Sequence, residues 1–163
     1  MENKTYYGTK KIIAMAMTRQ AYNDYRGWKL PPDEDGLDAG YLVEYVDGGQ
    51  ANHPDHAGYI SWSPSSVFDA AYQASGEMNF GHAIQAMKDG HKVSRANWNG
   101  KKMFIFLTQG RTVPNTKDRS FAHFDGKEVV LASHIDMKAA DGSFVTGWLA
   151  SQTDMLADDW MIV

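Results

Sequence analysis

The polar residues best suited to chemistry lie near the end of the chain, between the two tryptophans of "GWLASQTDMLADDW", residues 147–160. Four consecutive side chains offer a hydroxyl, an amide, a second hydroxyl and a carboxylate: Ser151, Gln152, Thr153 and Asp154. These groups can bond a base edge or a ribose, but the segment has no histidine, cysteine or lysine to act as base or nucleophile. Such groups could form the wall of a binding pocket. The spacing alone favours the alternative, an ordinary helix start capped by Thr153 or Ser151, with Trp148 and Trp160 in the core.

A second group of candidate residues occurs in "SRANWNGKKMFIF", residues 94–106. The indole of Trp98 offers a flat surface on which a base can stack, an interaction worth about 1–3 kcal/mol. Asn99 supplies an amide beside it. Three cationic side chains can meet phosphate oxygens: Arg95, Lys101 and Lys102. The alternative is a structural tryptophan next to a solvated hairpin.

Charge and composition narrow the class of ligand. The 163 residues carry a net charge of −4 with a pI near 5.8, which argues against binding to duplex nucleic acid. Residues 88–102 nevertheless hold five cationic side chains against one carboxylate, Asp89. A compact basic patch of this kind favours a small anionic ligand over a long polymer.

Several other classes of site are not indicated. The chain has no cysteine, so disulfides, thiolate metal sites and cysteine nucleophiles are excluded. His53 and His56 in "HPDH" have metal-ligand spacing, but no third ligand is near them, and we predict no metal and no cofactor. Glycine-rich phosphate loops and a nucleophile elbow are absent, so we predict a non-enzyme. The early apolar run "IIAMAM" is too short for a membrane span or a secretion signal, which favours the cytosol.

The chain changes character near residue 76, and we predict a small α+β module at 1–76 and a ligand-binding domain at 77–163. In the first part, "KKIIAMAM", "GYLVEYV" and "GYISW" are predicted strands, and Thr18 and Gly27 bound a helix. A second helix is predicted with Ser63 as its cap and Pro64 in its first turn. Its predicted buried stripe is Val67, Phe68, Ala71 and Tyr72.

The second part is predicted to pack one main helix on an antiparallel sheet, an α+β arrangement. The helix runs from Asn79 to Gly90, with Phe80, Ala83, Ile84 and Met87 facing the core. Asn99-Gly100 and Asp141-Gly142 are predicted hairpin turns, and residues 110–127 a mobile loop. "DMLADD" is a predicted helix capped by Thr153, and "WMIV" is a predicted strand.

The segments "MNFGHAIQAMKDGHKVSRANWNGKKMFIFL", residues 78–107, and "IDMKAADGSFVTGWLASQTDMLADDWMIV", residues 135–163, resemble a phage-encoded family. It includes the second type of Thoeris anti-defence proteins. The resemblance implies a sponge in the host bacterial cytoplasm that binds cyclic nucleotide immune signals without degrading them. The implied ligands are glycocyclic ADP-ribose and, for some members, the cyclic dinucleotides of cGAS-like enzymes. The family assembles as oligomers, commonly tetramers, with pockets between protomers.

The resemblance also implies roles for particular residues. Trp98 becomes the expected stacking residue and the segment from Ser151 to Asp154 the polar wall. Met103, Trp148 and Asp159 are further expected ligand contacts.

The first part, with "MTRQAYNDYRGW", "GYLVEY" and "GYISWSPSSVF", resembles an uncharacterised module of phage and prophage proteins. Seven aromatic side chains form either its core or a binding face: Tyr22, Tyr25, Trp28, Tyr41, Tyr45, Tyr59 and Trp62. Two alternatives to a sponge remain open: a protein-interaction adaptor that uses this aromatic module, and a nucleotide-modifying enzyme.

Overall fold

The computed structural model describes residues 3–117 and 121–163, and at positions 99 and 100 it describes the backbone only. Contacts divide the chain into two compact units, Met1–Gln73 and Ala74–Val163, here called the N-terminal and C-terminal units. The division lies a few residues before the one expected from sequence. No helix in the described ranges is long and apolar enough to cross a bilayer.

The N-terminal unit is a three-stranded antiparallel sheet in the order β1-β2-β3 with two helices. In chain order its elements are β1 Ile12–Ala16, α1 Arg19–Arg26, β2 Gly40–Tyr45, β3 Tyr59–Pro64 and α2 Ser65–Ala71. Tyr22 of α1 packs on Leu42 and Ile60 of the sheet to form the buried core. The three predicted strands are therefore confirmed.

Helix α1 has both of the predicted boundaries. The Thr18 hydroxyl accepts a hydrogen bond from the Ala21 N–H at 3.2 Å, which satisfies a donor that the first helical turn leaves free. Gly27 ends the helix at φ 67°, a left-handed conformation that costs glycine little. Each boundary depends on residues close to it in the sequence, so both can be predicted from the sequence alone.

The predicted start of α2 is wrong, and its predicted buried face is right only for Phe68 and Tyr72, which are partly buried. Ser63 and Pro64 belong to β3, where they pair with Tyr41 and Gly40, and Pro64 occupies the N-cap position without a side-chain cap. Sheet pairing thus extends past the expected helix start. Val67 and Ala71 are exposed, because α2 contacts the sheet mainly through Phe68, whose ring stacks on Tyr41 at 3.9 Å.

The C-terminal unit contains a five-stranded antiparallel sheet in the order β10-β4-β5-β8-β9 and a separate two-stranded sheet, β6-β7. Its helices are α3 Phe80–Lys88, a 3₁₀ helix Ala96–Lys101 and α4 Gln152–Met155. Its strands are β4 Val93–Arg95, β5 Phe104–Thr108, β6 Arg111–Pro114, β7 Glu128–Leu131, β8 His134–Lys138, β9 Phe144–Val145 and β10 Trp160–Ile162. The predicted α+β class is confirmed, as is the strand in "WMIV".

Helix α3 packs its apolar face on this sheet, as predicted. Ala83 and Met87 are buried against Val93, Ile105 and Trp160. Phe80 and Ile84 are partly buried at the margin of the same core. The Asn79 carboxamide oxygen accepts a hydrogen bond from the His82 N–H at 3.0 Å, and Gly90 follows the helix at φ 91°. Both predicted ends of the helix are therefore confirmed.

The link between β4 and β5 differs from the predicted hairpin. The two strands are antiparallel, but they register only through Val93 opposite Ile105, and the 3₁₀ helix joins them. A two-residue turn at Asn99-Gly100 would need paired strands up to the turn. Here the chain leaves the sheet early, and Trp98 packs against the core from the 3₁₀ helix.

The region predicted as a mobile loop, 110–127, begins with a strand. Residues 111–114 pair with residues 128–131 in the two-stranded sheet, and that part of the prediction is wrong. Residues 118–120, which the same prediction covered, lie outside the described residues.

The hairpin predicted at Asp141-Gly142 is confirmed by the pairing of β8 with β9. Gly142 has φ 91°, and the Asp141 carboxylate accepts hydrogen bonds from the Ser143 hydroxyl at 2.7 Å and the Ser143 N–H at 2.9 Å. These bonds hold the pKa of Asp141 below its ordinary value.

Candidate ligand-binding site

Three tryptophans from separate segments meet in the C-terminal unit. Trp98 lies 5.9 Å from Trp148 and 5.4 Å from Trp160 between ring centroids, with interplanar angles of 87° and 79°. This edge-to-face geometry is favourable for aromatic pairs. Trp160 is fully buried, whereas Trp98 and Trp148 are partly buried. The cluster thus anchors Trp98 while leaving part of its surface accessible.

Arg95 joins β4 to the C-terminal segment through its guanidinium group. Its Nη1 donates to the Asp154 Oδ1 at 3.0 Å and to the Thr153 carbonyl at 3.2 Å, and its Nε pairs with Asp159. Only 13% of the Arg95 side chain is exposed. Two carboxylates therefore balance this cation, and its role in the fold is to hold residues 153–159 against the sheet.

Ser151 is the N-cap of helix α4, and the predicted Thr153 cap is wrong. The Ser151 hydroxyl accepts from the Asp154 N–H at 3.2 Å, and the Asp154 Oδ2 accepts from the Ser151 N–H at 3.1 Å. This reciprocal pair is a capping box, which confirms the alternative interpretation of Ser151 as a helix cap. The Thr153 hydroxyl lies 2.8 Å from that of Ser151. Both Asp154 carboxylate oxygens are thus already bonded within the fold.

Further hydrogen bonds fix the segment near both of its ends. The buried indole N–H of Trp160 donates to the Asp154 carbonyl at 3.0 Å. At the other end, the Asp136 carboxylate accepts from the Gly147 N–H at 3.1 Å and from the Thr108 hydroxyl at 2.6 Å. Asp136 is only 9% exposed. Sequence reasoning missed it, although an acid inside the strand "HIDMK" is a signal worth noting.

The remaining predicted residues lie around this framework. Met103 is partly buried against the core, and its carbonyl accepts from the Ser94 hydroxyl at 2.8 Å. Gln152 is exposed on α4, next to the exposed Ser151. Lys101 and Lys102 are exposed where the 3₁₀ helix ends, and Lys102 has φ 53°. The predicted role of the Asn99 side chain lies outside the described residues.

Several of the predicted residues are exposed, namely Lys101, Lys102, Ser151 and Gln152. A cavity of about 240 Å³ exists in the same unit, lined in part by Phe104, Phe106 and Phe144 beside Lys92. The described residues that line it include none of the predicted ligand residues. Aromatic surface, exposed hydroxyl and amide groups and two lysines can bind a ligand at the predicted site.

The histidines of "HPDH" take part in a hydrogen-bonded network in the N-terminal unit. His56 Nδ1 lies 2.7 Å from the Glu44 Oε2, and His56 Nε2 lies 3.0 Å from the Tyr25 hydroxyl. Hydrogen bonds from His56 and from the Gly58 N–H lower the pKa of Glu44 below its ordinary value. His53 stacks on Tyr25 with 4.5 Å between ring centroids. Among the described residues, no group of three histidine, aspartate or glutamate side chains is arranged to hold a metal ion.

The C-terminal unit is thus an α+β domain with a salt-bridged terminal segment beside a tryptophan cluster, and comparisons with known proteins give its family. Residues 78–163 match the Thoeris anti-defense 2-like domain. The chain is also similar to "Thoeris anti-defense 2" of Bacillus phage SP01, with 39% identity over 87 residues, 53% of this chain and 96% of the relative. The chain belongs to the Thoeris anti-defense 2-like family, which confirms the resemblance noted for this part of the sequence. Residues 1–77 lie outside the matched domain.

Proposed function

We propose that this protein acts in phage anti-defence by binding a cyclic nucleotide immune signal inside the host cell and sequestering it without degrading it. The observation that carries the proposal is the family match across residues 78–163, which includes the whole candidate site. The site offers recognition groups suited to a nucleotide. The proposed ligands are glycocyclic ADP-ribose and cyclic dinucleotides.

Each part of such a ligand has a matching group in the candidate site. A base can stack on the accessible part of Trp98, which the other two tryptophans hold in place. Ser151 and Gln152 are exposed and can bond a base edge or a ribose hydroxyl. Lys101 and Lys102 supply positive charge for phosphate oxygens. Arg95 has its two carboxylates already, so in this proposal it positions the polar segment and the lysines neutralise the phosphates.

The arrangement favours holding a ligand over transforming it. Asp154, the last residue of the polar segment, and Asp159 are both paired with Arg95, which occupies carboxylate oxygens that a general base would need. Binding by itself is sufficient for sequestration. A protein in excess of its signal with a nanomolar Kd, about −12 kcal/mol, leaves little signal free.

The exposure of Lys101, Lys102, Ser151 and Gln152 favours a pocket completed by a second protomer. Small-molecule sites usually bury most of the ligand surface in a cleft, and a single exposed platform does not achieve this. We therefore include a homo-oligomer in the proposal, with a tetramer as the state that the family resemblance implies. The measurement is the molar mass of the full-length protein by light scattering, with and without ligand.

The decisive experiment is titration calorimetry of the full-length protein against glycocyclic ADP-ribose and a panel of cyclic dinucleotides. Each complex is then heat-denatured, and the released ligand is compared by chromatography with ligand incubated without protein. Tight binding with chemically intact ligand is the expected result. A modified ligand would instead indicate a nucleotide-modifying enzyme. Absence of binding across the panel would favour an adaptor that uses the exposed aromatic residues of the N-terminal unit, such as Trp28.

A further inference from the structure

Strand β1 lies at the edge of the N-terminal sheet with its outer side exposed. It pairs with β2 over its full length, from Ile12 opposite Tyr45 to Ala16 opposite Tyr41, and the sheet order places no strand beyond it among the described residues. Four of its five residues are exposed, including Ile13 at 59% and Met15 at 55%. An edge strand presents unpaired backbone donors and acceptors that another strand can bond.

The composition of β1 offers none of the usual protection against such pairing. Proteins commonly blunt edge strands with charged residues, proline or a bulge. The strand "IIAMA" has no charge, no proline and no glycine, and its ladder with β2 is continuous. The opposite edge strand, β3, ends in Pro64, which has no backbone N–H to donate. Of the two edge strands of this sheet, β3 therefore contains a proline and β1 does not.

We propose that β1 pairs antiparallel with β1 of a second copy of this chain, so that two three-stranded sheets merge into one sheet of six strands. A two-fold axis normal to the sheet requires opposed residues to lie on the same face, because both copies present the same face to the same side. Since β1 has five residues, the register in which every residue of one copy lies opposite a β1 residue of the other copy is centred on Ala14. Ile13 then faces Met15 of the partner subunit.

The side chains fit this register. Ile13 and Met15 lie on the face that also carries Leu42 and Ile60, and pairing would cover their exposed apolar surface with that of the second copy. On the other face, Ile12 meets the small side chain of the partner's Ala16. The nearest cation on the chain, Lys11, lies about 20 Å along the strand from its symmetry equivalent, so like charges do not oppose each other.

Because the chain contains no cysteine, a single substitution reports this register directly. Ala14→Cys places two thiols directly opposite each other, with Cα atoms about 4.5–5.5 Å apart, within the range of a disulfide. Ala16→Cys is the matched control on the same face of the same strand. Its two thiols would lie about 13 Å apart along the strand, too far to bridge.

The experiment is mild oxidation of both full-length variants, followed by non-reducing electrophoresis and intact mass. The expected result is a covalent dimer of the Ala14→Cys variant, formed at least about tenfold faster than that of the Ala16→Cys variant. Equal rates, faster linkage of the Ala16→Cys variant or no linkage of either would overturn the proposal.

A second measurement does not depend on an engineered thiol. Met15→Lys introduces a charge on the proposed interface, whereas Val67→Lys introduces one on α2, where Val67 is also 59% exposed. Light scattering of the full-length protein should give a lower molar mass for Met15→Lys than for the wild type, and the wild-type mass for Val67→Lys. Equal masses for the two variants, with unchanged circular dichroism, would contradict pairing through β1. The outcome is independent of ligand binding by the C-terminal unit.

Discussion

Each unit contains an arginine that pairs with two carboxylates and lies over a tryptophan. In the N-terminal unit, Arg19 pairs with Glu34 and Asp38 and stands 4.3 Å from the centroid of Trp62. In the C-terminal unit, Arg95 pairs with Asp154 and Asp159 and stands 5.6 Å from Trp160. The chemistry is the same, but the first arrangement holds a nearby loop and the second joins distant parts of the chain.

The difference lies in burial and in sequence separation. The partners of Arg19 follow within 19 residues, and their side chains are 36% and 45% exposed. The partners of Arg95 follow 59 and 64 residues later, and their side chains are 15% exposed for Asp154 and 34% for Asp159. Water screens both carboxylates of the first group, whereas the Arg95–Asp154 pair is poorly solvated. The same three charges thus contribute little to stability in one unit and control the geometry of the candidate site in the other.

The largest expected effect comes from replacing the buried arginine. Arg95→Met leaves Asp154 and Asp159 without their cation, and we expect a loss of about 3 kcal/mol in the free energy of unfolding. Arg19→Met, the matched change in the N-terminal unit, should cost about 0–1 kcal/mol. Urea unfolding of both full-length variants tests this. Similar losses for the two variants would mean that burial does not distinguish the two arginines.

A change of similar or smaller size is expected in ligand binding when the stacking surface is removed. Trp98→Ala should weaken binding of the cyclic nucleotide by about 1–3 kcal/mol, roughly five- to 150-fold in Kd. Trp28→Ala removes a 52% exposed tryptophan of the N-terminal unit and should leave Kd unchanged. Calorimetry measures both, and circular dichroism checks that each variant is folded. An unchanged Kd for Trp98→Ala would exclude Trp98 from the binding surface.

A smaller loss of stability is expected from removing the cap of α4, and it distinguishes between the two candidate cap residues. Ser151→Ala removes the acceptor for the Asp154 N–H and should cost about 1 kcal/mol of stability. Thr153→Ala removes a hydroxyl that caps no backbone donor and should stay within about 0.5 kcal/mol of wild type. Thermal unfolding of the two variants tests the assignment. A larger loss for Thr153→Ala would restore the cap predicted from sequence.

The smallest expected effect is the pH dependence of the stability that Glu44 gives to the N-terminal unit. Because the pKa of Glu44 is lower in the folded protein than in the unfolded chain, its contribution is fully present above the unfolded pKa, about 4.3, and is lost as pH falls through the folded pKa. The stability difference between wild type and Glu44→Gln should therefore shrink as pH falls below about 4. Urea unfolding at several pH values measures it. A constant difference would mean that ionisation of Glu44 is not linked to folding.

The comparison of the two arginines also explains which features of the site could be predicted. Residue type indicated Arg95 and Asp154 as candidates, the family resemblance added Asp159, and the structure brings the three together. Sequence reasoning assigned Arg95 to a phosphate, because the pairing of β10 with β4 that brings the carboxylates beside it is not encoded locally. Asp136 was missed for the same reason, since its importance arises from Gly147 and Thr108 on other segments.

The sequence by itself determined the features that depend on a few neighbouring residues. Thr18 and Gly27, Asn79 and Gly90 and the Asp141-Gly142 turn all act through hydrogen bonds or backbone conformations within four or five positions. The spacing of Ala83 and Met87 likewise identified the face of α3 that enters the core. Because the interacting residues lie close together in the sequence, these features can be predicted without knowledge of the fold.

Only the tertiary structure decided the features that depend on partners far along the chain. It replaced a predicted two-residue turn with the 3₁₀ helix that carries Trp98, and it extended β3 through Pro64 where a helix start was expected. It also left the outer side of β1 open. In each case long-range strand pairing or burial of an aromatic ring outweighs local propensities, which differ by only about 1 kcal/mol per residue.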